Sequence, residues 1–221
     1  MDSISSGDCS VTALPHGPRR GMPEAERRSY LLGVAHDVFI QEGYAASNMD
    51  DVARAAGMSK KTLYQLFPSK AALFEAVVVH HLADLHLDID DTNLSLEESL
   101  VRRLLDPAQM LLSSPQIGLF RLVAAEGGRH PEIAEAFHRA GPECGAGSIE
   151  RWLSEQAAAG RLIMGNVRDA SDMLFGMAIG VTHIKLLLRL EAAPSPARIE
   201  AQVRRAVAIF LNGCAASPQP G

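Results

Sequence analysis

The chain has 221 residues, 47% of them apolar and 21% charged, with a formal net charge of −5; this composition excludes collagen-like, wholly disordered and disulfide-scaffold proteins. Taken alone, 26 acidic against 21 basic side chains argues against a polyanionic partner such as nucleic acid. Three distant cysteines, Cys9, Cys144 and Cys214, suit a reducing compartment and hence a cytoplasmic protein.

Aromatic residues make up only 5% while Ala and Leu dominate the apolar set, which favours helices over strands. Residues 1–24 are rich in Ser, Gly and Pro and lack a hydrophobic period, so they are expected to form a disordered arm. The apolar run Val11 to Leu14 is too short for the core of a signal peptide, and Arg19-Arg20 leads into Gly21-Met22-Pro23-Glu24 rather than an apolar stretch.

Beyond the arm the periodicity is helical throughout and predicts an all-α fold. Leu31, Val34, Ala35, Val38 and Phe39 line one face of a first helix, about Glu26 to Glu42, which Gly43 ends. Ser47 or Asn48 caps a second helix through Ala56, with Asp50 and Asp51 in its positive first turn. Ser59 caps a third, Lys60 to Phe67, stopped by Pro68, and Ser69 caps a fourth from Lys70 to about His86. Asp88 to Ser95 reads as a hinge. A second helical layer follows, with helices near Leu96–Leu112, Gln116–Gly127, Pro131–Ala140, Glu143–Ala159, Asp169–Leu190 and Ser195–Leu211. Pro115, Gly127-Gly128, Gly141-Pro142, Gly160, Gly165, Pro194 and Pro196 separate them. The most apolar segment, Met173 to Ile184, is shorter than the roughly 18 residues of a membrane span and reads as a buried helix.

The segment Ser47 to Lys70 carries the chemistry. A two-turn helix, a Gly-containing turn and a short capped helix make a helix-turn-helix, whose second helix can enter a major groove. Leu63 and Phe67 fall on one side, facing Val52, Ala53 and Ala56; Lys60, Lys61, Tyr64 and Gln65 fall on the other. Lys can meet phosphate or guanine, Gln can bond adenine, and Tyr can reach phosphate. A compact helical turn with a solvated polar face is the plainer alternative. The local charge favours DNA: from Tyr44 to Lys70 the bases Arg54, Lys60, Lys61 and Lys70 outnumber Asp50 and Asp51.

Phe39, Glu42-Gly43-Tyr44, Met49-Asp50-Asp51-Val52-Ala53, Ala56-Gly57-Met58-Ser59-Lys60, Thr62-Leu63-Tyr64, Phe67, Ser69-Lys70 and Leu73-Phe74 together resemble the DNA-binding domain of TetR/AcrR-family bacterial regulators. The resemblance covers roughly the N-terminal third. It implies an all-α homodimer that binds a palindromic operator in double-stranded DNA, with C-terminal domains carrying an effector pocket and the dimer interface. It also implies that Lys60, Lys61 and Gln65 face the groove, while Ser47, Asn48, Ser59, Thr62, Tyr64 and Lys70 hold phosphates. The position of Lys61 is often Gly in that family, a departure that bears on the half-site sequence. The region around Leu119 to Val123, Pro131-Glu132, Phe137 and Gly141-Pro142 is similar to one group of the family's C-terminal domains. The implied organisation is a 1–24 arm, a 25–86 helix-turn-helix domain, an 87–213 effector and dimerisation domain and a 214–221 tail.

Gly176 and Gly180, one turn apart, would let another helix approach, and Ile199, Val203, Ala206, Val207 and Phe210 give the last helix a matching stripe. With Ile184 they are the expected dimer interface; packing within one chain is the alternative. Phe120, Arg121, Ala124, Phe137, Trp152, Met173, Phe175, Met177 and His183, with Glu126 as another polar candidate, are the expected effector pocket, for an apolar or aromatic molecule. Ordinary core packing accounts for each of them as well. His80, His81, Asp84 and His86 suggest a solvated hinge more than a metal site. Motifs such as G-x-S-x-G and the P-loop are absent, so neither enzyme activity nor a cofactor is expected. The reading is a cytoplasmic, dimeric repressor released by a ligand, without a membrane partner. The alternatives are an activator or effector-independent regulator, and a helical enzyme or carrier with a structural N-terminal bundle.

Overall fold

The structure is a computed structural model that describes residues 23–82, 93–141 and 147–214. Nearly all of the predicted arm, Cys9, Asp84, His86, most of the Asp88 to Ser95 hinge, Pro142, Cys144 and the tail after Cys214 lie outside the described residues. Among the described residues every regular element is helical: α1 (Glu24–Glu42), α2 (Met49–Ala55), α3 (Lys60–Leu66), α4 (Lys70–Leu82), α5 (Leu96–Leu111), α6 (Ser114–Glu126), α7 (Pro131–Gly141), α8 (Gly147–Ala158), α9 (Val167–Phe175), α10 (Val181–Leu187) and α11 (Pro196–Cys214). A π-helical turn, Gly176–Gly180, joins α9 to α10.

Local chemistry sets these boundaries. Glu24 and Glu26 occupy the positive first turn of α1, and Gly43 ends the helix at φ 86°, its N–H returning to the Phe39 carbonyl. Asn48 and Asp51 form a reciprocal capping box at α2, and Ser59 caps α3 by accepting from the Thr62 N–H. The break expected at Pro115 falls just before it, at residues 112–113. Pro115 itself sits in the first turn of α6, where its missing N–H has no intrahelical partner to lose. Instead of one helix from Asp169 to Leu190, α9 widens into the π turn, and the run stops at Leu187, with Arg189 in the left-handed region at φ 56°.

Two apolar cores organise the molecule. The first gathers Leu31, Phe39, Tyr44, Val52, Leu63, Phe74 and Val77 from the N-terminal helices and also Leu119, Leu122, Ile133 and Ala136 from α6 and α7. Those two helices follow residue 87 in the chain, yet they bury against the segment before it. The second core joins α5 to α8, α9, α10 and α11 through Leu104, Trp152, Leu153, Leu174, Val203 and Val207. Val203 and Val207 are fully buried and Phe210 is 6% exposed, so the stripe expected to meet a second chain is covered largely by the chain's own α5. A helix with this much core to close spends its apolar stripe internally.

Candidate nucleic-acid interface

In the α2–turn–α3 unit the predicted division of faces is present. Val52, Ala53, Ala56, Leu63 and Phe67 are buried, while Lys60, Lys61, Thr62, Tyr64 and Gln65 are exposed, Tyr64 by half. Gly57 takes φ 64° in the turn, and the Met58 N–H returns to the Ala53 carbonyl, so α3 leaves at a fixed angle from α2. The Ser59 hydroxyl is 2.8 Å from the Thr62 hydroxyl. Lys60 forms an ion pair with Asp50, and Arg54 with Asp51.

Three expected phosphate ligands have other work in this structure. The Asn48 side chain accepts from the Asp50 and Asp51 N–H groups at 2.9 and 3.0 Å. Ser47 is 2% exposed and its hydroxyl donates to the Tyr44 carbonyl. The Lys70 ammonium donates to the carbonyls of Tyr44 and Ser47 at 2.5 and 2.9 Å and lies 4.3 Å above the Tyr44 ring. Burial pushes the Lys70 pKa down, against the opposing pull of Glu126 and Glu132. Ser47 and Lys70 therefore turn inward, because the sharp bend after Gly43 leaves carbonyls that need donors.

The sequence reading missed the groups that grip this bend from outside. Glu126 accepts from the N–H groups of Tyr44 and Ala45 at 3.0 and 2.6 Å. The Tyr44 ring meets His130 edge-on at 5.4 Å. Burial, followed by the charge and hydrogen bond of Glu132, pushes the Tyr44 phenol up to about 12. The only signal was that Glu126 ends an apolar helix as an acid, where the helix dipole disfavours it.

The candidate pocket residues do not converge. Phe120 packs edge-on against Phe137 at 4.5 Å and His183 at 4.4 Å, and beside them Arg121 donates to the carbonyls of Leu186 and Leu187. Trp152 lies in the second core with Arg103 over its ring at 5.5 Å. Ala124 is exposed, and Met173 and Met177 are 68% and 39% exposed. Both methionines line an open groove of about 840 Å³ between the Ile163–Asn166 segment, α9 and α11. Phe175 packs on the second core. Ile209 in the wall of that groove, and Val181, Ile184 and Leu188 outside it, are also exposed. A Cβ at Gly176 or Gly180 would meet no other part of the chain within 4 Å. The run 167–187 is long and apolar enough to cross a membrane, with a third of its apolar window buried inside the chain. Among the described residues no group of His, Cys, Asp and Glu could hold a metal. His80 is bonded to Ser29, and His81 packs on His36 at 4.4 Å.

Two family models match. Residues 31–77 match "Bacterial regulatory proteins, tetR family", and residues 98–214 match "AefR-like transcriptional repressor, C-terminal domain". Among curated proteins, the transcriptional activator FasR of Mycolicibacterium smegmatis is 48% identical over 71 residues, 31% of this chain and 32% of that protein. The mycofactocin biosynthesis regulator MftR of Mycobacterium tuberculosis is 33% identical over 94 residues, 42% of this chain and 48% of its own. The chain thus spans about a third to a half of these relatives' lengths. Among solved structures, the flavonoid-responsive regulator FrrA superposes with TM-score 0.71 at 27% identity, over 88% of this chain and all of that one. A TetR regulator from Agrobacterium tumefaciens gives 0.72 at 20%, over 86% and 95%.

Proposed function

Because the chain belongs to the TetR family of DNA-binding transcriptional regulators, we propose that it is a dimeric, cytoplasmic repressor that leaves a palindromic operator when a small apolar or aromatic effector binds. The observation that carries this reading is the outer face of α3, where Lys60, Lys61, Tyr64 and Gln65 stand exposed over a buried Leu63. Lys60, Lys61 and Gln65 face the groove, where Lys60 can also meet a phosphate, while Thr62 and Tyr64 with the Ser59 cap meet the backbone. Asn48, Ser47 and Lys70 take part indirectly, by holding the bend and the N-terminus of α2 that present α3.

The second copy docks on the exposed face of Met173, Met177, Val181, Ile184 and Ile209, where Gly176 and Gly180 leave room for a crossing helix. This face adjoins both α9–α10 and α11, as a four-helix arrangement between two chains requires. Two-fold symmetry then presents two α3 helices to half-sites about 34–36 Å apart. The effector shifts the population between two spacings of those helices by its differential affinity.

Phe120, Phe137, His183 and Arg121 form the polar-edged aromatic end of the effector region, and the similarity to a flavonoid-responsive regulator supports an aromatic effector. The C-terminal match to a repressor domain favours repression. The 48% identity to an activator over 71 residues favours a second reading, activation, which transcription in vitro with and without the protein distinguishes. The main test is selection of duplexes from a randomised pool. Wild-type protein should enrich a palindrome, and Lys60→Ala, Lys61→Ala and Tyr64→Ala combined should abolish enrichment. Undiminished enrichment by the triple variant would refute the α3 assignment.

A further inference from the structure

Helix α6 lies along α1 and holds it at three levels. At its start the Pro115 carbonyl is 3.4 Å from His36 Nε2. In its middle a Cβ added at Gly118 would stand 3.2 Å from Ile40 Cδ1, so the two helices approach closely there. At its end the Glu126 carboxylate spans the N–H groups of Tyr44 and Ala45, one oxygen to each. These amides follow Gly43, beyond the hydrogen-bond ladder of α1, and a carboxylate is the strongest acceptor available to them. Lys70 holds the opposite side of the same bend through the Tyr44 and Ser47 carbonyls. Asn48, the next residue, caps α2. Beyond the core that Val52 and Leu63 share with Phe39, the bend that leads from α1 into the helix-turn-helix is gripped by a carboxylate on α6 and an ammonium on α4.

The other side of α6 faces the effector region. Phe120 packs on Phe137 and His183, and Arg121 donates to the carbonyls that end α10. A molecule inserted between Phe120 and His183 would push α6 and α10 apart, and close-packed helices move as units rather than deform. The end of α6 then carries Glu126 with it.

We propose that Glu126 is a positioning residue for DNA binding, a latch whose two hydrogen bonds to Tyr44 and Ala45 fix the stance of the helix-turn-helix and are released when α6 shifts. The latch rests on the reading of the chain as an effector-controlled DNA-binding protein. With the latch closed, the bend is clamped from both sides and the two α3 helices of a dimer hold one spacing. With it open, the amides turn to water and the unit pivots about Gly43. Gln at position 126 keeps one oxygen acceptor and so holds one amide of the two.

The test uses the full chain and two readouts, hydrogen exchange of individual amides and affinity for a duplex that wild-type protein has selected from a randomised pool. Both are measured well below the melting temperature of every variant. In Glu126→Ala, exchange at Tyr44 and Ala45 should rise at least about tenfold while Val52 and Leu63 keep their protection. Duplex affinity should fall by a factor within the range of about 5–150 typical of coupling between sites. Glu126→Gln should fall between Ala and wild type in both readouts, and it serves alone if the Ala variant does not fold. Unchanged exchange at Tyr44 and Ala45 overturns the latch. So does faster exchange with unchanged duplex affinity, which would make Glu126 a cap and nothing more. If wild-type protein selects no duplex, the DNA-binding reading fails and the latch with it; wild-type binding with an indifferent Glu126→Ala variant overturns the latch alone.

Discussion

Lys60 on α3 reaches back across the turn to the carboxylate of Asp50 on α2, and the two side chains remain 65% and 47% exposed. An ion pair this wet contributes about 0–1 kcal/mol, so it costs little for Lys60 to exchange Asp50 for a phosphate. The same carboxylate places a negative charge beside the DNA-facing surface. Lys60→Ala should weaken duplex binding and make the slope of log affinity against log salt shallower by about 0.9. Asp50→Asn should tighten binding, and neither change should lower stability by more than about 1 kcal/mol. Titrations at several salt concentrations with parallel thermal melts check this; an unchanged slope for Lys60→Ala would remove Lys60 from the phosphate contacts.

The exposed face of α9 and α10 makes a separable prediction. Val181→Asp places a charge where the second copy docks and where the chain itself leaves the side chain 66% exposed, so the variant should fold normally and sediment as a monomer. Gly180→Leu fills space that is empty within one chain, and should weaken association in the same way. Val207→Ala cuts into the second core instead. It should cost about 2 kcal/mol of stability while leaving the folded protein dimeric. Sedimentation velocity with denaturant unfolding separates the two classes.

Arg121 ties α6 to the end of α10 by donating to both the Leu186 and Leu187 carbonyls. These are among the last carbonyls of a helix, and that of Leu186 also accepts from the Arg189 N–H at 3.0 Å. Arg121→Ala should therefore lower stability by about 1.5–3 kcal/mol. Arg121→Lys should recover only part of it, because an ammonium lacks the planar fork that serves two acceptors at once. Urea unfolding of the three proteins decides; a Lys variant as stable as wild type would mean that charge, rather than geometry, holds this junction.

What could be read from the sequence was what depends on neighbours a few residues away. The Asn48 and Ser59 caps, the Gly43 and Gly57 turns and the division between Leu63 and Lys60 are local, and the structure contains each of them. The stripe on α11 was equally visible, but a stripe does not say what covers it, and Val203 and Val207 meet α5. Met173 and Met177 were candidates for the same pocket as Phe120 on apolarity alone, and the structure places them on an open groove that Phe120 does not line. Ser47 and Lys70 were assigned to phosphate because nothing local shows that the bend after Gly43 leaves carbonyls for them. Glu126 lies 82 residues from Tyr44, and no periodicity connects them.

His183 provides the last prediction. Its ring packs on Phe120 at 4.4 Å, and its Nε2 is buried without a hydrogen-bond partner among the described residues. Burial holds its pKa below the ordinary value of 6.5. In the unfolded chain the imidazole takes up a proton near 6.5, while in the folded chain it resists until lower pH. The neutral ring's contribution to stability is therefore complete above 6.5 and is lost as pH falls from there through the folded value. Glu98 and Glu191, whose carboxyls are held low by hydrogen bonds from Arg204 and Lys185, lose their contributions only below about 4.5, the unfolded carboxylate range. Between pH 7 and 5, wild-type protein should lose stability faster than His183→Leu, and the two should run parallel at higher pH. Urea midpoints across that range measure the difference. Parallel curves throughout would show that His183 titrates as it does in water and that its surroundings are wet.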